Sequence, residues 1–136
     1  MLALREVDDL GFILFDVLRA PFQLTGLPSL AKANEALMRK WIDEMNSFVS
    51  GVIAPLNRVG DTTGSKWANG EVTTPEGWKD AWNALVEGGW NGLPFSAEWG
   101  GMGLPQVLNL AVQEMWQSAN MAFALCPMLT LSAIEA

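Results

Sequence analysis

Residues 88–105 read GGWNGLPFSAEWGGMGLP. Six glycines and two prolines punctuate this run, with Trp90, Leu93, Phe95 and Trp99 as the bulky apolar side chains between them. Glycine used this densely suits either a phosphate-gripping loop or a tight joint between helices. A dinucleotide loop needs GxGxxG directly after an apolar strand. Gly101-x-Gly103 would begin that motif, but Gln106 stands where the third glycine belongs, and residues 90–98 contain two helix breakers and no β-branched run. The joint needs only glycines that take positive φ and let Trp90, Phe95 and Trp99 pack closely. Gly100, Gly101 and Gly103 are therefore read as a structural turn between two helices.

Working outward, helical periodicity appears on both sides. Upstream, Thr74-Pro75-Glu76 supplies an N-cap, a first-turn proline and an acid at the positive helix end. Trp78, Ala81, Trp82, Leu85 and Val86 follow at i, i+3, i+4, i+7 and i+8, and Gly88-Gly89 ends the helix. Downstream, Pro105 starts a helix whose buried face is Leu108, Ala111, Val112, Met115 and Trp116. Two shorter helical pieces, 119–125 and 127–136, complete the chain.

Further back, Asn34 is the expected N-cap of a long helix with Leu37, Trp41, Met45, Phe48, Val49, Val52, Ile53 and Leu56 on one stripe. Arg39, Lys40, Asp43 and Glu44 form its solvated face, and Pro55 ends or bends it. From residue 57 the helical period vanishes, and Asn69-Gly70 predicts a type I′ hairpin. The first segment carries Val7, Leu10, Leu14, Val17 and Leu18 at helical spacing, with Phe12, Ile13 and Phe15 apolar as well; Pro21 closes it. Such a helix wants cover on several sides. The fold class is all-α, a helical bundle with a small β-hairpin, in one domain over 1–136: an N-terminal helix and connector at 1–28 and a bundle at 29–136. The final stretch PMLTLSAIEA breaks off in mid-pattern, without a C-cap glycine or basic last turn, so part of the architecture is expected to lie elsewhere.

Composition excludes whole reaction classes. The 136 residues include no histidine and no tyrosine, so Ser-His-Asp and Cys-His catalysis drop out, and a zinc site would have to use carboxylates and one thiol. Half the residues are hydrophobic, with seven Trp and seven Met, which argues for a folded chain despite a net charge of −7. Fifteen acids against eight bases leave no stripe for a nucleic-acid backbone. Cys126 stands alone, which excludes an intramolecular disulfide and fits a reducing compartment. Early acids in MLALREVDD oppose a signal peptide, so the cytoplasm is the expected location. No residue between Glu114 and Glu135 is charged, but Gln117, Ser118, Asn120, Pro127, Thr130 and Ser132 interrupt that span. It reads as two buried helices rather than a membrane crossing.

No catalytic constellation emerges from these residues. Glu98 and Glu114 lie nearest the glycine joint, yet nothing around them shows desolvation or a charge partner, so both read as surface acids. Cys126 lies in an uncharged neighbourhood and reads as a buried, inert thiol. Met115, Met121, Met128 and Trp116 read first as core; an apolar-ligand pocket would look the same.

The succession GVIAPLNRVGD (51–61), NGEVTTPEGWKDAW (69–82), GGWNGLPFSAEWGGMGLPQVL (88–108) and QEMWQSANMAFALCPMLT (113–130) resembles the N-terminal helical domain of the acyl-CoA dehydrogenase family. It is most similar to a bacterial subgroup with an extra N-terminal segment that includes methylthiopropionyl-CoA dehydrogenase. The likeness runs from about Leu4 to the last residue, and its most specific part is Gly89, Trp90, Gly92, Leu93 followed by Gly100, Gly101, Gly103, Leu104 and Pro105. The resemblance implies FAD-dependent α,β-dehydrogenation of an acyl-CoA thioester. It also implies a middle β domain and a C-terminal helical domain, on this chain or on a separate polypeptide, and a homo-oligomeric complete enzyme. In the family the proton-abstracting glutamate and most FAD contacts lie in those other domains. Glu98, Glu114 and Glu135 therefore inherit no catalytic role, and this chain alone is expected to be inactive and to bind little or no FAD. By the same resemblance Met121, Ala122, Leu125, Cys126, Pro127 and Thr130 are the candidate substrate-binding residues, forming one wall of the acyl-chain tunnel. Trp99 and Cys126 depart from the family pattern. The competing reading is a non-catalytic helical module that binds a partner helix or apolar ligand through residues 7–18 or 121–134.

Overall fold

The computed structural model describes residues 3–136, with side chains from residue 7. The domain start expected at residue 1, and the Leu4 side chain where the resemblance begins, lie outside the described residues. Helix α1 (Ala3–Gly11) runs into a π-helical turn (Phe12–Val17), and Arg19 at φ 47° then turns the chain into the short α2 (Ala20–Leu24). Pro21 thus sits in the first turn of a new helix instead of closing the old one, a place where its missing N–H costs nothing. The π turn also shifts the helical phase. Leu10 and Leu14 reach the core, while Phe12, Ile13, Val17 and Leu18 remain exposed.

Asn34 caps α3 (Glu35–Phe48), its side-chain oxygen accepting from the Leu37 N–H at 2.9 Å. On the solvated face Glu35 pairs with Arg39 and Lys40 with Glu44, and the Arg39 guanidinium lies 3.9 Å above the Phe15 ring centroid. Pro55 does not end this helix. A π turn (Val49–Ile53) absorbs the mismatch, with the Ala54 N–H reaching Val49 O, and α4 (Ala54–Thr63) continues. Residues 57–63, expected outside any helix, are thereby helical. Strands β1 (Lys66–Ala68) and β2 (Glu71–Thr73) pair antiparallel, Trp67 opposite Val72, around Asn69 and Gly70 at φ 54° and 82°.

Helix α5 (Trp78–Glu87) begins later than the Thr74-Pro75-Glu76 signal suggests, with Gly77 at φ 80° as its N-cap. Pro75 is buried. Ala81 and Leu85 are buried, but Val86 is exposed. After the glycine-rich joint, α6 (Gln106–Ala119) buries all five expected residues. The chain then forms one helix, α7 (Met121–Glu135), with Pro127 inside it, in place of two short pieces. Helix α6 packs against α7, α3 and α1, and is the spine of the bundle. Trp90 seals one end, edge-on to Trp41 with centroids 5.3 Å apart and stacked near Phe48. No helix among the described residues is long and apolar enough to cross a membrane.

Candidate functional site

The glycine joint is closed on itself by backbone hydrogen bonds. The N–H of Gly100 donates to Ala97 O, Gly101 to Ser96 O, Met102 to Gly92 O, Gly103 to Phe95 O and Leu104 to Leu93 O, all between 2.8 and 3.1 Å. A phosphate needs such donors free, or a cation in their place. The five named donors are engaged, and no Lys or Arg lies within the joint itself. The diphosphate of FAD therefore does not fit this loop. Gly100 and Gly103 take φ of 82° and 62°, and a β-carbon on Gly101 would overlap the Phe95 carbonyl, which explains the glycines without a ligand. Trp99, expected to pack in the joint, is 84% exposed. Its three-residue 3-10 turn (Ala97–Trp99) ends at Gly100 in the left-handed conformation, which leaves the indole outside.

A groove of about 450 Å³ opens between the hairpin, α5 and the start of α7. Trp78 and Trp82, one helical turn apart on α5, meet Phe123 of α7 at centroid distances of 5.6 and 6.4 Å. Ser65, Val72 and Thr74 from the hairpin side, with Lys79, Ala122 and Cys126, complete the lining. Three aromatic rings and small side chains with one ammonium make a surface for a narrow apolar chain bearing negative charge at one end. Cys126 is exposed here, contrary to the expectation of a buried thiol. The sequence reading failed because α7 is apolar around its whole circumference, so periodicity gives no inside and outside.

Of the six sequence-derived wall residues, the structure brings Ala122 and Cys126 together in the groove. Met121 lies on the other flank of α7, at a shallow hollow shared with Leu110, Gln113 and Glu114 of α6. Leu125 and Thr130 are exposed, and Pro127 is buried in the bundle. Leu129, 67% exposed, extends the open apolar strip of Met121 and Leu125 by a further turn. Glu98 and Glu114 are exposed and take part in no ion pair among the described residues. Sequence reasoning missed Trp78, Trp82 and Phe123 as groove residues. The i, i+4 spacing of the two tryptophans was a signal, but it is equally that of core residues.

Comparison with known proteins agrees with this architecture. The family model for the acyl-CoA dehydrogenase N-terminal domain matches residues 37–135. The 3-methylmercaptopropionyl-CoA dehydrogenase of Ruegeria pomeroyi is 47% identical over 98 residues, which cover 72% of this chain and 17% of that enzyme. The chain thus spans less than a fifth of that relative's length. A helical bundle with one small hairpin, a glycine-tight joint between α5 and α6, and a match over most of its length place the chain in the acyl-CoA dehydrogenase family, as its N-terminal helical domain.

Proposed function

We propose that this chain works as the N-terminal part of a FAD-dependent acyl-CoA dehydrogenase, with the outward side of α7 and the adjoining groove as one wall of the acyl-chain tunnel. The observation that carries this reading is the composition of α7. One side of the helix holds Phe123, Ala124, Pro127 and Leu131 in the core, while Met121, Leu125 and Leu129 on the opposite side are equally apolar and open. A helix apolar on both sides is normally enclosed on both. A β domain and a C-terminal helical domain, on the same or a separate polypeptide, would cover it and leave a channel for the acyl group.

In this reading the chain binds and orients the acyl chain and keeps water from it. In the complete enzyme the other domains would hold FAD, which would supply the hydride acceptor, and a glutamate of the C-terminal domain would take the α-proton. These 136 residues alone are inactive. The substrate is a cytoplasmic acyl-CoA of fatty acid metabolism, and the relative's name makes a thioether-bearing short acyl group the first one to assay. The test is to mix the chain with a polypeptide carrying the β and C-terminal domains of the Ruegeria pomeroyi relative. Flavin fluorescence quenching and acyl-CoA-dependent dye reduction should appear only in the mixture. Absence of both, together with a discrete ligand-free dimer by light scattering, contradicts the reading and favours a self-sufficient binding module.

A further inference from the structure

We infer that Asn120 is a positioning residue whose carboxamide sets α7 against the α3–α4 seam and thereby places Phe123 as the floor of the tryptophan groove. Its bearing on the reaction rests on the tunnel-wall reading above.

All four polar groups of Asn120 are engaged. Its backbone N–H donates to Trp116 O at 2.9 Å, ending α6, and its carbonyl accepts from the Ala124 N–H at 3.1 Å, starting α7. The side-chain oxygen caps α7 by accepting from the Phe123 N–H at 3.1 Å. The side-chain amide donates to Ile53 O at 3.5 Å, across 67 residues of sequence. That last contact is long, but Asn120 is 1% exposed, so bulk water does not compete for the amide. Ile53 is the last residue of the π turn Val49–Ile53, and Pro55 follows two residues later. One side chain thus joins the irregular point of the long helix to the first turn of α7.

Phe123 is the residue capped, and its ring is the one that meets both Trp78 and Trp82. A cap alone is within reach of Ser, Thr or Asp. The carboxamide makes the two contacts from separate atoms, Oδ1 toward Phe123 and Nδ2 toward Ile53, whereas a hydroxyl would have to serve both from one oxygen closer to the backbone. Asn120→Ser keeps a shorter cap and loses the Nδ2 atom that reaches Ile53 O. Asn120→Asp keeps the acceptor and sets a carboxylate against a carbonyl oxygen in a dry site.

The probe is 1-anilinonaphthalene-8-sulfonate, whose rings suit the groove and whose sulfonate suits Lys79. It is titrated into the 136-residue chain, Asn120→Ser, Asn120→Asp and Ala122→Trp, at a temperature where far-UV circular dichroism shows each folded. Ala122→Trp, which fills the groove, should abolish the tight binding phase. Asn120→Ser should weaken it about fivefold, the factor one buried hydrogen bond carries, and Asn120→Asp should weaken it further. Wild-type affinity in a folded Asn120→Ser overturns the inference, because a residue that only adds stability leaves a folded groove unchanged. A tight phase indifferent to Ala122→Trp, or failure of both Asn120 variants to fold, overturns it as well.

In the reconstituted enzyme Asn120→Ser should raise the KM for acyl-CoA and leave kcat close to wild type. Working complementation with an unchanged KM defeats the Asn120 assignment alone. No complementation, with probe binding still altered as described, defeats the tunnel wall alone.

Discussion

Gly60 of α4 and Trp78 of α5 interlock: a β-carbon on Gly60 would overlap the six-membered ring of the Trp78 indole. Alanine is a better helix former than glycine by about 1 kcal/mol, yet the indole is rigid and its Nε1 is already buried without a partner. Overpacking outweighs propensity. Gly60→Ala should lose about 1–2 kcal/mol in urea unfolding and shift the tryptophan emission. A stabilised variant would mean that Trp78 moves freely and that the groove floor is not fixed.

The joint before α6 separates two roles of glycine. Gly101→Ala forces a methyl into the Phe95 carbonyl, whereas Gly100→Ala at φ 82° meets open space. The first should cost about 2–4 kcal/mol and the second about 1 kcal/mol. Chemical denaturation of the two variants gives the order, and equal losses would contradict the close approach.

Local signals in the sequence were readable where local chemistry decides. Asn34, the Asn69-Gly70 turn and the five-residue face of α6 need only their own neighbours, and each stands as expected. Pro127 misled, because it is tolerated inside a helix held by tertiary packing, while at Pro55, where an end or a bend was expected, a π turn carries the helix onward. That kind of turn also breaks phase, which is why Val17 and Leu18 fall outside. Cys126 and Trp99 defeated the reading for a different reason. Whether an apolar residue faces the core or the open side depends on partners that spacing alone does not specify. The groove itself arises from Phe123 meeting Trp78 and Trp82 across 45 and 41 residues of sequence, a pairing with no short-range trace.

Asn34→Ala removes the cap of α3 and leaves the Leu37 N–H without its acceptor. Thermal unfolding should show a loss of about 1 kcal/mol, with Asn34→Ser or Asn34→Asp restoring most of it. No loss would mean that packing of Met38 and Ile42 alone holds that helix start.

The outward strip of α7 should be inert to stability and essential to assembly. Leu129→Ser and Leu125→Ser should each change the unfolding free energy by less than about 0.5 kcal/mol, since both side chains are exposed. Both should improve solubility and weaken complementation by the missing domains. A large stability loss would mean that this strip belongs to the bundle's own core.

Cys126 offers the most direct test, because it is exposed in the groove and is the single cysteine of the chain. Its alkylation by N-ethylmaleimide is followed by mass spectrometry in the chain alone, after assembly with the β and C-terminal domains, and after addition of acyl-CoA. Fast modification in the isolated chain, slower modification on assembly and further protection by the thioester are the predicted result. An equal rate in all three conditions would contradict the claim that α7 lines an acyl channel completed by the rest of the enzyme.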